Sequence, residues 1–359
     1  MITRIPALKA ATIYQASASL NTGADEIMEL TKEGNRNGDR NLYQSYPTRI
    51  LLEFPTDTLQ QYAGEEGNNF NLRLFATDTS YIPDSASFVV FPVSESWNQG
   101  TGRRFNVPST SNGVNWKSTD GKNLWFVSES SGEFFADFST ASCATNEKGG
   151  GNWYFIESSS FQLFTTSSDV DADITDIADK WVSGTFYPNH GLILKFSGST
   201  ETDLVHYGNF QFFGPLTNTI YKPVIEIRRE DWTFSGSLQE AEYDCRVEMV
   251  PRFEGYGTSE TARLQLVVKD TYTLPSFTAG TNLRVLPSSS WYEIIDTYSE
   301  AVIIRGDQTF TRLSRNTRGN YFDLPLVGFS PNRRYQVKVY ADFDGAQKEF
   351  VGMHFKVKD

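Results

Sequence analysis

The chain has 359 residues, 39% of them hydrophobic and 14% aromatic, and a formal net charge of −12. That apolar content is enough to build cores and argues against a disordered chain. The acidic balance argues against free nucleic acid as a partner, because phosphate contacts on a basic face dominate such binding.

The opening segment MITRIPALKAATIYQAS carries one Arg and one Lys but no unbroken apolar core, so it is not expected to be a secretory signal. Nowhere do about 18 apolar residues run together, so no membrane-spanning helix is expected. From there, short alternating runs recur: ATIYQAS, TRILLEF, FNLRLFAT, SFVVFPV, NLWFVSE, SFQLFTT, GLILKFS, GNFQFFG and KPVIEIRRE. Each is one strand long, rich in β-branched and aromatic residues, and most are bounded by Gly, Asn, Asp, Ser or Pro. Alternation in TRILLEF predicts Ile50, Leu52 and Phe54 on an inward face. Two segments break the rhythm. TDTLQQYA, Thr56 to Ala63, predicts a helical turn capped by Thr56 or Asp57. DVDADITDIADKWVSG predicts an amphipathic helix ended by Gly184, with Ile174, Ile177, Ala178 and Trp181 on its buried face.

After residue 229 the strand candidates are YDCRVEMVPRF, ARLQLVVKD, WYEIIDTYSEAVIIR, YFDLPLV, RRYQVKVYADF and KEFVGMHFKVKD. The expected architecture is all-β: a jelly-roll β-sandwich over residues 1–229, then an immunoglobulin-like β-sandwich over residues 230–359. Both parts are acidic, with net charges of −9 and −3. Cys143 and Cys245 fall in different parts and form no disulfide framework or metal knuckle, which points to folding in a reducing cytoplasm.

Five motifs in order, from Ala11 to Asp231, carry a family resemblance. They are ATIYQASASLNTGADEIMEL, TRILLEFPTDTL, VSESWNQGTGRR with NGVNWKSTDGKNLW, DITDIADKWVSGTFYPNHGLILKF, and NFQFFGPLTNTIYKPVIEIRRED. Residues 1–229 thereby resemble the DNRLRE-type β-sandwich, a jelly roll similar to carbohydrate-binding modules. With a second β domain after it, the chain resembles virion structural proteins of large contractile-tailed phages, especially those of marine cyanobacterial hosts. The resemblance implies a particle component at the neck, tail, baseplate or fibre, folded in the host cytoplasm.

Glu95 and Trp97 in VSESWNQGTGRR have the types of a sugar-processing loop, and a glycosidase needs two carboxylates about 5–10 Å apart. Asp78 and Asp84 are the available partners for Glu95; the competing reading makes Trp97 a core anchor. Trp97, Trp116 and Trp153 are candidate glycan-stacking residues, with packing of those rings, and of Trp125, as the alternative. Asp169, Asp171 and Asp173 are a candidate calcium cluster, although Ile174 and Lys180 occupy positions where an EF-hand needs Gly and Glu. The widely spaced His190, His206 and His354 match no zinc motif, and no Gly-x-Ser-x-Gly nucleophile motif is present. KGGGNW, Lys148 to Trp153, lacks the end of a phosphate-binding loop and reads as a turn. RGDQTFTRLSRNTRGN supplies four arginines, Arg305, Arg312, Arg315 and Arg318, as a candidate interface for a neighbour's carboxylates.

The expectation is a non-enzymatic virion component without a cofactor. It would bind other virion proteins and assemble as a homo-oligomer in a symmetric ring or collar. The alternative is a host-attachment module that binds surface polysaccharide, and a polysaccharide-degrading enzyme is the weaker one.

Overall fold

The computed structural model describes residues 1–36, 43–63, 67–77, 85–125, 149–184, 188–271 and 283–359. The chain is all-β, with 44% strand and 6% helix in antiparallel sheets of sandwich character. It divides into two compact units. One comprises Ile5–Glu65 and Asn69–Glu226; the other comprises Met1–Arg4, Glu66–Asn68 and Ile227–Asp359.

In the first unit the main sheet runs, in spatial order, Lys9–Tyr14, Tyr43–Glu53, Leu192–Phe196, Ala86–Pro92 and Ser159–Leu163. The strand Lys32–Arg36 also pairs with Tyr43–Glu53. Register places Ala11 opposite Leu51, Leu51 opposite Ile193, and Ile193 opposite Phe91. These four therefore form one row on one face. The next row, Thr12, Ile50, Leu194 and Val90, points the other way. On that second face Phe88 meets Phe196 at 4.9 Å and Phe210 edge-on at 5.1 Å. Phe210 belongs to a two-stranded pair, Phe210–Phe213 with Ile27–Leu30. In a further sheet of this unit Asn69–Leu74 pairs antiparallel with Val170–Asp173.

Ile50, Leu52 and Phe54 are buried as expected, but so are Arg49 and Leu51 between and beside them. Tyr43–Glu53 is a central strand, covered on both faces from Pro47 to Leu52, so alternation understates its burial. The helix expected from Asp169 onward begins only at Thr175 and runs Thr175–Val182, with Ile177, Ala178 and Trp181 buried. Before it, Val170–Asp173 is a strand paired with Asn69–Leu74. Asp173 ends that strand and accepts bonds from the Thr175 backbone N–H (2.9 Å) and hydroxyl (2.6 Å), turning the chain into the helix. Thr56–Ala63 is a helix of two turns rather than one.

In the second unit, one sheet runs Cys245–Met249, Thr261–Asp270, Gly319–Pro325 and Ser314–Asn316. The other runs Tyr256–Gly257, Ala346–Lys358, Arg334–Phe343, Ser290–Asp296 and Val302–Ile304. Between them Tyr292 stacks on Phe322 at 3.9 Å. Ala262, Leu264, Leu266 and Val268 are buried while Thr261, Arg263 and Lys269 face outward, the period of two that a half-buried strand requires. Among the described residues, no helix is long and apolar enough to cross a membrane.

Candidate functional site

The first row of the main sheet, Ala11, Leu51 and Ile193, faces a layer of loops rather than water. Trp97, Trp116, Trp125 and Trp153 come down on that row and form one core cluster with Ile13, Val93 and Val114. Trp97, Trp116 and Trp153 are 3%, 1% and 0% exposed. The glycan-stacking expectation is thus corrected for these three residues. A ring can stack on a sugar only with a free face, and the sheet already occupies these faces. Trp97 is the anchor of its loop: its indole N–H donates to the His190 carbonyl at 2.9 Å, and Lys9 Nζ lies 4.4 Å over the ring. Glu95 beside it is half-buried and accepts a bond from Asn152 Nδ2 at 2.6 Å. Asp78 and Asp84, its candidate catalytic partners, lie outside the described residues, as does Cys143.

Beneath the tryptophan layer sits a sealed charged cluster. Glu201, from the short helix Gly198–Thr202, accepts bonds from Arg49 Nε (2.8 Å), Arg49 Nη2 (3.2 Å) and Lys195 Nζ (2.6 Å). The Arg49 and Glu201 side chains are inaccessible and Lys195 nearly so. Arg49 Nη1 also donates to the Gly150 carbonyl at 2.6 Å, and its guanidinium lies 4.8 Å from Trp116 and 5.0 Å from Trp153. The cluster joins two central strands, the helix and the glycine loop that carries Trp153. Its groups are consumed by one another, so it positions structure and offers no reactive atom to solvent. KGGGNW contributes here as backbone: Gly150 is an acceptor for Arg49.

The loop after Trp97 is knitted by one side chain. Asn21 donates through Nδ2 to the carbonyls of Gln99 and Val114, both at 2.8 Å, and its Oδ1 accepts the Gly102 N–H at 2.8 Å. The backbones approach so closely that a Cβ on Gly23 would lie 1.7 Å from the Gln99 carbonyl oxygen, and one on Gly102 2.3 Å from that of Asn21. Glycine is required at both points. Arg104 turns back to pair with Glu29, which also accepts from Tyr14 and Gln211. Burial and the neighbouring Glu29 raise the Tyr14 hydroxyl's pKa, keeping it a neutral donor. From this frame Phe105 and Val107 project into solvent, 86% and 96% exposed.

The acids of DVDAD have separate duties. Asp169 accepts the Ala76 N–H (2.8 Å), Asp171 pairs with Arg73 (2.6 Å) and Asn71 (2.8 Å), and Asp173 starts the helix. The calcium expectation is therefore corrected for this trio: their oxygens are directed to different partners instead of one point. Among the described residues, no group of three or more His, Cys, Asp or Glu converges as a metal site. Of the four arginines expected at an interface, two are engaged inside the second unit. Arg312 Nε donates to Ser288 O (2.6 Å) and the guanidinium lies 4.2 Å from Trp232, while Arg315 pairs with Glu240 at 2.8 Å. Arg305 and Arg318 are exposed. Cys245 is a buried free thiol whose pKa is raised by that burial. Burial also lowers the pKa of His190. His206 Nδ1 lies 2.8 Å from the distant Lys32 carbonyl, and His354 Nδ1 lies 3.0 Å from the nearby Gly352 carbonyl.

Nothing in the strand patterns singled out Glu201, Lys195 or Arg49. One signal was present: LILKF places a lysine inside a five-residue strand that is otherwise apolar. A central strand with one cation implies a buried anion nearby. For Phe105 and Val107 the signal in the sequence is two apolar residues in a loop bounded by Gly, Arg, Pro and Ser.

No family model matches the chain and no curated protein matches it. Among solved structures, a DUF4785-family protein from Legionella pneumophila is similar at 7% identity and a TM-score of 0.17, over 99% of this chain and 62% of that one. The β-glucuronidase of Parabacteroides merdae is similar at 7% identity and a TM-score of 0.16, over 96% of this chain and 36% of that one. The chain thus spans less than two thirds of either protein, and likeness at this level carries no argument about fold or activity.

Proposed function

We propose that the chain is a non-enzymatic structural component of a tailed-bacteriophage particle, at the neck or collar, tail, baseplate or fibre, acting through protein–protein contacts. In this reading the first unit is a DNRLRE-type jelly roll and the second an immunoglobulin-like docking sandwich. The observation that carries assembly over sugar binding is how the two kinds of apolar group are distributed. The loop tryptophans that would stack on sugar are inside, whereas Phe105 and Val107 are held out on a rigid frame. Isolated exposed apolar residues are ordinary, but a pair on a hydrogen-bonded frame that does not itself need them suits a contact. The Arg49 cluster serves the same end by fixing the face from which those loops grow.

Cross-linking mass spectrometry on purified particles tests this. The proposal expects cross-links from this chain to other particle proteins. Saturable binding on a glycan array, lost on Trp97→Ala, Trp116→Ala or Trp153→Ala with the fold intact, would overturn it in favour of a polysaccharide-binding module.

A further inference from the structure

The outer strand of a sheet carries backbone groups that no neighbour pairs, and proteins ordinarily blunt such edges. Three edges of the second unit are blunted. In its four-stranded sheet Ser314–Asn316 is closed on the outside: the Arg315 N–H donates to the Thr233 carbonyl and the Ser235 N–H to the Arg315 carbonyl, both at 2.9 Å. In its five-stranded sheet Tyr256–Gly257 is two residues long, and Val302–Ile304 has a register shift against its neighbour. The fourth edge, Cys245–Met249, is five residues in unbroken antiparallel register with Thr261–Asp270.

The register fixes which groups that edge offers. The Thr271 N–H donates to the Asp244 carbonyl at 2.8 Å and the Val250 N–H to the Gln265 carbonyl at 3.4 Å. Antiparallel pairing alternates, so Arg246 and Glu248 also aim their N–H and C=O at Thr261–Asp270, while Cys245, Val247 and Met249 aim theirs outward. Cys245 is partly occupied: its N–H donates to the Tyr243 carbonyl (3.0 Å) and its carbonyl accepts from Lys348 Nζ (3.3 Å). Val247 and Met249 stay open, and Pro251, the next outward position, has no N–H to offer. Side chains alternate as well: Arg246 and Glu248 are exposed, Cys245 is buried, and Val247 and Met249 are half-buried. Arg246 lies opposite Lys269, a like charge that disfavours a cross-strand pair. Glu248 reaches Lys269 only at 4.0 Å, with both side chains more than half exposed, and Arg334 lines the groove beside it. A carboxylate accepts up to about four bonds, so its oxygens have room for another donor.

We propose that Cys245–Met249 pairs antiparallel with the same strand of a second copy of this chain, centred on Val247. Each Val247 N–H then donates to the other copy's Val247 carbonyl, as the outward direction of both groups requires. The Met249 N–H meets the Cys245 carbonyl of the other copy. The pairs on either side of the centre set Arg246 of each copy opposite Glu248 of the other, with Cβ atoms about 4.5–5.5 Å apart. Each of the four charges has an opposite charge beside it along its own strand and across the seam. Charges at an edge ordinarily deter pairing. Here the order Arg-Val-Glu is its own complement when reversed, so they favour a second copy. Sliding by two residues sets Arg246 against Arg246 or Glu248 against Glu248, which leaves one register. On the inner face Val247 lies beside Val247 and Met249 beside Cys245, extending the cover of two half-buried side chains.

The contact is isologous and closes at two copies. One pair of short strands is small beside the about 1,200–2,000 Å² of a stable interface, so the dimer depends on concentration. The seam does not rest on the particle reading above.

The test is sedimentation of the purified full chain across concentration, with Arg246→Glu, Glu248→Arg, their equimolar mixture and the double variant. Both side chains are exposed, so the melting profile of dilute protein is expected to be unchanged. Wild type is expected to dimerise. Each single variant sets like charges across the seam and is expected to remain monomeric where wild type is dimeric. The mixture restores opposite charges at both positions and is expected to form heterodimers, and the double variant homodimers. Hydrogen exchange reads the backbone: the Val247 N–H is expected to be protected in dimeric wild type and to exchange freely in Arg246→Glu, while the Glu248 N–H stays protected in both. A wild type that is monomeric at all concentrations overturns the proposal and leaves the edge to another protein's strand. Single variants that dimerise as wild type does, a mixture or double variant that stays monomeric, or a freely exchanging Val247 N–H in dimeric wild type overturn it as well. Particle membership is read separately, by cross-linking in purified particles.

Discussion

Glu201→Gln is the most informative single change in the first unit. Glu201 accepts three charged N–H bonds at 2.6–3.2 Å from Arg49 and Lys195, in a site closed to water. Glutamine keeps the shape but removes the charge and turns an amide toward two cations. Removing one partner of a buried ion pair costs about 3–5 kcal/mol, because the remaining charge stays desolvated. In a unit of this size each kcal/mol moves the melting midpoint by about 2–4 °C, so the midpoint of the first unit falls by about 6–20 °C. Thermal unfolding followed by tryptophan fluorescence reads this directly, since Trp116 and Trp153 lie against Arg49. Asp171→Asn is the control. It breaks the partly exposed pair with Arg73, which is worth at most about 1 kcal/mol. If Glu201→Gln costs no more than Asp171→Asn, the cluster is not the sealed anchor described here.

Three further outcomes follow from the same geometry. Asn21→Ala leaves the Gln99 and Val114 carbonyls and the Gly102 N–H without their partner; it is expected to cost about 1–3 kcal/mol and to speed hydrogen exchange at Gly102, and unchanged exchange there contradicts the knitted loop. Trp97→Ala is expected to destabilise by about 3–5 kcal/mol, read by chemical denaturation; a fully stable variant contradicts its placement as an anchor. Asp296 is lowered in pKa although burial raises it, because the Ser299 hydroxyl and N–H and the Arg333 guanidinium outweigh burial. Its folded pKa lies below the unfolded value of about 3.9, so its contribution is present above that pH and is lost as pH falls through the folded pKa. Asp296→Asn should therefore flatten the acid limb of the second unit's stability below about pH 4, measured by denaturation at fixed pH.

Strands with one wet face were legible in the sequence, because alternation reports a period of two; ARLQLVVKD is the plainest example. Tyr43–Glu53 was only half legible. Its run RILLE gives no sign that a loop layer covers the second face, since that cover comes from residues about 50 to 100 positions later and depends on tertiary contact. The start of the Thr175–Val182 helix was misplaced for a related reason. Asp at alternate positions suits the first turn of a helix, yet here cross-strand bonds from Arg73 and Asn71 hold Asp171 in a strand. The tryptophans were legible as large buried anchors or exposed platforms, and only burial distinguishes the two. The Arg305–Arg318 segment looked like a single basic face because sequence shows charge without partners; Trp232, Ser288 and Glu240 take up half of it.

The central claim is that this chain is part of a phage particle. Quantitative mass spectrometry of gradient-purified, salt-washed particles tests it most directly. The account predicts that the chain is retained through the wash at a fixed whole-number ratio to the other tail and neck proteins. Its absence from washed particles, with the chain recovered only in the soluble lysate, would contradict it.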